Sequence, residues 1–534
     1  MNKVIRIKNS SVKFKEKIMQ KEIIEKLMLG FLMVQPLLDL YFLFDESVVD
    51  FFGFSPSTII RIGFVGIIGI LFLFILRNKK EICIYIVYLG LLAVYIIFHH
   101  INALNFTDFY DGYDFGYTLI SELFYVIRML MPLFLIVVSC HYQFSTKRIE
   151  MLVSVLIVLI SGSIIVTNLL GISTGSYSKE VIKGNIFCWF MEDKCNLSYM
   201  DLASKGLFLD PNRLSALLVL LTPLTFYVMF KNPTIKNKLV IVINMIGMLM
   251  LGTKVSTFGF VIILILSLLI YVFFSFIKRE IKFRHNIFWY LVVVLVGYCL
   301  IFPYSPAINR TNVDNSIFEN YNANIDNRLE ENEKNLHELN DKINGEDELD
   351  EREKYMMEFI EQNYLDYSLH YDFVFQCYPY YYDPEFWYNV MEMSIEERTN
   401  FRNLERMMLE RVKEKNDNKW DEYFGITFTR MGNIFDLERD FISHYYTMGI
   451  IGMILLVLPY IIIILICIIR MLITHKNNLN MKNVFFLMGI GITLFAAYFT
   501  GNVLDGLIVT LILGFCIGQL INGVFNITNA SETC

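Results

Sequence analysis

Two cations stand where the chain would hold an anion. Gly206-Leu207-Phe208-Leu209-Asp210-Pro211-Asn212-Arg213 leads into a long apolar run, and Gly252-Thr253-Lys254 forms a tight turn before another. If each run is a helix, Arg213 and Lys254 sit at helix N-termini, where unpaired N–H groups and the dipole add to the side-chain charge. That predicts an anion site, the alternative being two cations that only snorkel to a membrane interface. A third stretch, Leu437-Glu438-Arg439-Asp440-Phe441-Ile442-Ser443-His444, offers proton acceptors. As a helix it puts Asp440 and His444 on one face and turns Glu438 roughly 200° from Asp440. One of these groups could act as general base; the bland reading is a carboxylate serving the helix dipole.

Other ionisable groups lie inside apolar runs, where each is a functional candidate by default. Gln35 and Asp39 are four apart, with Pro36 between them to kink the helix, either as a functional pair or as a polar pair that sets packing. Arg61 and Arg128 are further basic groups available to an anion. Glu122 is six residues from Arg128, on a different face, so the two do not obviously pair. His99 and His100 are adjacent, point in different directions and read as interfacial residues rather than metal ligands.

The elements that position these groups follow from composition. Of 534 residues, 55% are apolar and only 19% are Asp, Glu, Lys or Arg, and the mean hydropathy is +0.48. A water-soluble fold cannot bury so much apolar surface. Many of the apolar runs are about 17–22 residues long, which matches a bilayer core about 30 Å thick. The expectation is an all-α polytopic membrane protein of about twelve spans: Ile24–Phe44, Ser57–Leu76, Ile82–Phe98, Leu119–Val138, Met151–Gly171, Leu214–Phe230, Leu239–Leu251, Ser256–Ile277, Ile287–Phe302, Ile442–Ile469, Val484–Thr500 and Leu507–Val524. Lys and Arg crowd the loops 1–23, 77–81, 139–150, 231–238, 278–286 and 470–483, and are missing from 45–56, 99–118 and 501–506. By the positive-inside rule both termini are cytoplasmic, and 173–211 and 303–441 are outside.

The expected division is therefore helices one to nine over residues 1–302, an acidic extracytoplasmic insertion at 303–441, and three more helices with a short cytoplasmic tail over 442–534. Charge supports it: Pro303 to Asp440 carries 15 basic and 32 acidic residues, against 31 basic and 21 acidic elsewhere. Such a balance excludes a nucleic-acid binder, which would show a basic patch. Within the insertion, Asn315 to about Tyr364 reads as a mainly helical, solvated stretch broken at Asn344-Gly345. The aromatic run Tyr378 to Tyr388 follows, in which Tyr381 and Trp387 are candidates for stacking on a glycan, or else part of an interfacial belt. Cys188 and Cys195 share one outer loop and form a candidate disulfide. No Cys/His metal spacing, no Gly-rich phosphate loop and no Gly-x-Ser-x-Gly is present, so no metal or other cofactor is expected.

Several local motifs in this order resemble the O-antigen ligase and O-antigen polymerase superfamily, in its Gram-positive-like branch of O-antigen ligase-like membrane proteins. They are Gln35-Pro36-Leu37-Leu38-Asp39, Lys205-Gly206-Leu207-Phe208 followed by Asn212, Leu251-Gly252-Thr253-Lys254, Tyr423-Phe424-Gly425-Ile426, and Glu438-x-Asp440 ahead of Gly449-x-x-Gly452. The resemblance implies a glycosyltransferase of cell-envelope polysaccharide biosynthesis in the bacterial cytoplasmic membrane. It would take an undecaprenyl-diphosphate-linked glycan at the outer face and transfer or polymerise it onto a glycan or glycolipid acceptor, with no metal. It implies that Arg213, Lys254 and Arg402, with Arg61 and Arg128 as further candidates, hold the diphosphate, and that Glu438 or Asp440, beside His444, assists the acceptor hydroxyl. The ligases typically carry His-Asn where this chain has Glu438-Arg439, which favours a polymerase or another polysaccharide ligase over a lipopolysaccharide ligase. Two other readings compete. A polyprenyl-phosphate-sugar glycosyltransferase would use Asp45-Glu46 as its acid, in a loop too short to build a site. A lipid-linked glycan flippase or transporter would be expected to show internal repeats, and none is apparent.

Overall fold

The computed structural model describes residues 21–44, 55–75, 78–107, 116–191, 195, 197–323, 325–345, 349–434 and 437–525 of the protein. Among them the chain is almost entirely helical, and ten helices are long and apolar enough to cross a membrane. The protein is a polytopic all-α membrane protein, as its composition requires. Residues 21–34 form α1. Then come α2 (Pro56–Ile75), α3 (Lys79–Leu104), α4 (Leu119–Ser139) and α5 (Thr146–Leu169). They are followed by α6 (Pro211–Lys231), α7 (Ile235–Leu251), α8 (Lys254–Val272) and α9 (His285–Ile301). The hydrophilic stretch holds α10 (Pro306–Ala323), α11 (Ile325–Asn344), α12 (Leu349–Asn363), α13 (Pro384–Glu392), α14 (Phe401–Asn416) and α15 (Phe428–Ile434). Last are α16 (Asp440–Gly452), α17 (Leu458–Ile473), α18 (Met481–Phe499) and α19 (Leu507–Phe525).

The expected break at Asn344-Gly345 is present, since α11 ends at Asn344 and α12 begins at Leu349. Three spans differ in shape from expectation: the tenth is kinked at Gly449 and resumes as α17 at Leu458. The first leaves α-helical geometry at Gln35, where Pro36 removes a backbone donor, and continues as two short 3-10 turns. The seventh starts earlier, at Ile235, because Thr234 caps it by accepting from the Asn237 N–H at 3.3 Å.

The chain divides into two compact units. The first comprises Met1–Tyr88, Ile127–Thr311 and Leu456–Cys534; the second comprises Leu89–Val126 and Asn312–Leu455. The centre of the first is α6, whose residues from Leu214 to Phe230 are all buried. It packs against α5, α7, α8, α18 and α19. Lipid tails are as apolar as leucine, so such helices associate through close packing and buried hydrogen bonds. Both are present here. A Cβ at Gly247 of α7 would come within 3 Å of Ser161 on α5, and Asn244 donates to Thr222 Oγ1 at 2.8 Å while accepting from Ser161 Oγ at 3.3 Å. Each such bond contributes roughly 0.6 kcal/mol. Between α5 and α6 a two-stranded antiparallel ribbon, Thr174–Gly175 with Ser204–Gly206, ties the loop together.

The second unit has a core of its own, with Ile360, Tyr378, Trp387, Val390, Leu404 and Met408 all buried. In α14 the buried positions Leu404, Met408, Leu409 and Val412 fall on one face of a 3.6-residue period. Asp383 caps α13 through the Phe386 N–H at 3.2 Å and takes the Arg411 guanidinium at 2.7 Å. That pairing with Asp383 holds Arg411 still more firmly in its charged form.

Candidate active site

In the first unit, three basic candidates, Arg61, Arg128 and Arg213, are anchored around the broken end of the first span. Arg61 is 2% exposed and bonds Gln35 Oε1 at 2.9 Å, the Gln35 carbonyl at 3.0 Å, Ser57 Oγ at 2.5 Å and the Asp39 carboxylate. Gln35 in turn donates to the Ile508 carbonyl at 2.9 Å. So Gln35 and Asp39 are not merely a packing pair: they neutralise and orient Arg61. The expectation of Arg61 as a diphosphate ligand is corrected accordingly, because a buried guanidinium needs a carboxylate, and Asp39 already supplies it.

The same break carries backbone pairing. The Tyr41 N–H donates to the Leu207 carbonyl and the Leu209 N–H to the Asp39 carbonyl, both at 2.9 Å. This joins the motif around Gln35 to the one around Lys205, and so to Asp210 and Arg213. Arg213 donates from Nε to the Asn502 carbonyl at 3.2 Å, and Arg128 donates to the Asp505 carbonyl at 2.8 Å. Both also lie close enough to repel the Arg61 guanidinium. Lys254 is exposed, and the residue before it, Thr253, is hydrogen-bonded to Ser215 of α6 at 2.6 Å. Arg213 and Lys254 therefore stand at adjacent, directly linked helix starts.

One expectation about these starts fails. The Asp210 carboxylate already accepts from the Asn212 and Arg213 N–H groups, at 2.7 and 3.3 Å, and Thr253 accepts from the Ser256 N–H at 3.1 Å. Side-chain caps occupy the positions an anion would need, so any anion here is bound by side chains rather than by free backbone donors. Asp210 also sits 3.3 Å from Arg213 Nε, and a bound phosphate would have to displace it.

Two basic residues near this group were not foreseen as site residues. Lys205, in the β-ribbon, is 8% exposed, and burial holds its ammonium below the usual lysine range. Arg310 lies 4.8 Å over the Tyr177 ring, and Tyr177 donates to the Gly252 carbonyl at 2.7 Å. Lys205 was visible inside its motif; Arg310 was hidden at the start of the acidic insertion.

In the second unit, Glu438 and Arg402 find each other. The guanidinium donates to Glu438 Oε2 at 2.6 and 3.0 Å, and both side chains remain partly exposed. Asp440 opens α16 and is buried, as is His444. His444 Nδ1 meets the Tyr125 hydroxyl at 2.6 Å, so Tyr125 orients it through that nitrogen. Of the three candidate bases, Glu438 is the accessible one.

His99 departs from its expected interfacial role. It is buried, with Nδ1 2.6 Å from the Phe424 carbonyl and Nε2 3.3 Å from Glu122. Glu122 also accepts from the Phe428 and Thr429 N–H groups, at 3.1 and 2.9 Å, and from the Thr429 hydroxyl at 2.8 Å. The pair fastens the Phe424–Thr429 segment. No spacing in the sequence marked it, since its members lie on different helices. Gly425 and Gly449 complete this join. Both have positive φ, and a Cβ on either would come within 3 Å of the other's neighbouring backbone, Thr447 for Gly425 and Tyr423 for Gly449. At Gly452 a Cβ would strike Tyr95, in keeping with the Gly449-x-x-Gly452 face as packing.

The aromatic run is also redistributed. Trp387 is fully buried and donates Nε1 to the Tyr378 carbonyl at 2.7 Å, so it is a core residue and not a glycan platform. Tyr381 is 52% exposed and keeps that option. Cys188 and Cys195 have sulfurs 2.7 Å apart as free thiols. Asp45 and Glu46 lie outside the described residues.

The fold defines a polytopic membrane protein with arginines and a lysine at helix ends in one unit and carboxylates with a histidine in the other. The family model described as O-antigen ligase like membrane protein matches residues 21–526, and the chain belongs to that family. It is thus a glycosyl-transferring enzyme of the membrane, acting on lipid-linked glycans. No curated protein and no solved structure matches it.

Proposed function

We propose that the protein polymerises or ligates a polyprenyl-diphosphate-linked glycan at the outer face of the bacterial cytoplasmic membrane. The observation that carries this reading is the pair of cations Arg213 and Lys254 at helix starts joined through Thr253 and Ser215, in a chain of this family. Arg213 and Lys254 hold the diphosphate, with Arg128 adding positive charge and Arg61 fixed behind them. As the bond from the sugar's anomeric carbon to the phosphate oxygen breaks, negative charge grows on the leaving diphosphate. Cations placed there beforehand stabilise that charge in the transition state.

The acceptor hydroxyl attacks the same carbon and gives up its proton to a base. Glu438 is the proposed base, because it alone among Glu438, Asp440 and His444 is partly exposed. Within the second unit Arg402 holds that carboxylate in place. Asp440 and His444, both buried, are kept as positioning groups. The products are the lengthened or attached glycan and free polyprenyl diphosphate.

The test is turnover in membranes with correctly inserted variants. Arg213→Ala or Lys254→Ala should lower product formation by about 10²-fold, comparable with loss of one transition-state donor. Arg213→Lys should recover only part of it, because the planar fork is lost. Near-normal product from the double alanine variant would overturn the assignment. Lipid-linked intermediates separate the two activities: single repeat units accumulate when a polymerase is deleted, and finished chains when a ligase is.

A further inference from the structure

We propose that a cleft of about 800 Å³ in the second unit, between α11 and the turn at Met391–Arg398 that follows α13, binds a run of the glycan chain. The inference rests on the glycan-transfer reading and adds a subsite to it.

One wall is a ladder. Asn332, Leu336, Asn340 and Asn344 recur every four residues on α11 and all line the cleft, so they stack along one face. From first to last they span about 18 Å at 1.5 Å per residue, longer than a single sugar. The opposite wall sets Met391, Met393 and Ile395 against them, with Ser394 at the rim. Asn332 Nδ2 donates to the Asp366 carbonyl at 3.1 Å and Asn340 Oδ1 accepts from the Tyr388 hydroxyl, bonds that orient these carboxamides while their other groups, and the exposed Asn344, face sugar hydroxyls and acetamido groups. Alternating carboxamides with apolar side chains matches a pyranose, which has polar edges and apolar C–H faces.

Asp341 is 3.3 Å from His337, and Glu392 accepts from Tyr388 at 2.7 Å. Among the described residues no group of three or more His, Cys, Asp or Glu could hold a metal ion. At the back of the cleft stands Arg398, only 4% exposed. Its Nη1 is fixed to the Met391 and Met393 carbonyls at 3.0 and 3.1 Å, and its plane lies over Tyr367 at 5.3 Å. Its Nε–H, buried, has no partner among the described residues. That atom is closed off from the cleft, so the part Arg398 plays is to fix the Met391–Met393 backbone that forms the second wall.

The probe is the repeat-unit oligosaccharide released by mild acid from the producing cell's own polysaccharide. It is titrated against the full-length protein in lipid nanodiscs and followed by saturation-transfer NMR. The expected result is binding to the wild type and at least tenfold weaker binding to Asn340→Ala/Asn344→Ala. Turnover of that variant should show a raised KM for glycan with kcat little changed. Ser394→Phe, which fills the rim from the other wall, should reproduce the loss and guards against a folding defect in the first variant. Affinity within twofold of wild type in both variants would overturn the cleft while leaving the transfer reading intact. So would displacement of the sugar by calcium ions alone. Binding lost as expected, in a protein that transfers no lipid-linked glycan, would instead sustain the cleft and overturn the transfer reading.

Discussion

At the scale of single residues, the strongest constraint is the buried ion pair between Arg61 and Asp39. Breaking one side of such a pair strands a charge and costs about 3–5 kcal/mol, whereas replacing both partners by apolar groups is often close to neutral. Asp39→Leu or Arg61→Met alone should therefore cut the yield of folded protein sharply, and Asp39→Leu/Arg61→Met should restore much of it. Thermal unfolding in detergent, read by size-exclusion, measures this; a double variant no better than the singles would give the pair a role beyond stability. The base is tested in the same manner, by comparing Glu438→Gln, Asp440→Asn and His444→Gln at equal membrane abundance. Loss of most turnover is expected in Glu438→Gln with donor binding kept. If all three retain activity and its pH profile, the acceptor proton leaves by another route.

At the scale of elements, the join between the Tyr423–Thr429 segment and α16 depends on two glycines. Gly449 has φ of 65° and ψ of −176° inside a helix that kinks there, a region open to essentially no other residue, at a cost of about 1–3 kcal/mol. Its Cβ would also press on the Tyr423 backbone. Gly449→Ala should therefore lower the melting temperature more than Gly491→Ala, whose Cβ would meet nothing within 4 Å. Equal effects would mean that the segment moves aside without strain. The loop of Cys188 and Cys195 offers a second elemental test. With the sulfurs 2.7 Å apart and a disulfide needing about 2.05 Å, oxidation requires little movement. Mass mapping of protein from its native membrane should find the two joined; free thiols there would remove the bridge.

At the scale of the molecule, the charge split makes a topological claim. A lone cysteine placed at Asn344, in a background without the native cysteines, should react with an impermeant reagent on intact cells. Reaction only after permeabilisation would invert the orientation and with it the proposed outer site. The reading also requires no metal, so turnover should survive a chelator in excess; loss of activity restored by a divalent cation would contradict it.

Sequence alone determined what depends on local composition and period. The apolar runs had to be membrane helices because no soluble core could absorb them. The stretch from Asn315 to about Tyr364 read as mainly helical, with Asn344-Gly345 as its break. The residues that broke with expectation did so because their partners are remote in the chain. Arg61 reads as an open cation until Asp39, on another helix, closes on it. His99 reads as interfacial until Glu122 is folded against it. Trp387 reads as a platform until the second unit packs over it. Even the helix starts at Arg213 and Lys254 carried their answer in Asp210 and Thr253, yet only folded geometry decided that these caps, and not a ligand, hold the backbone donors. Burial and pairing are properties of which helices become neighbours, and that was settled by tertiary packing.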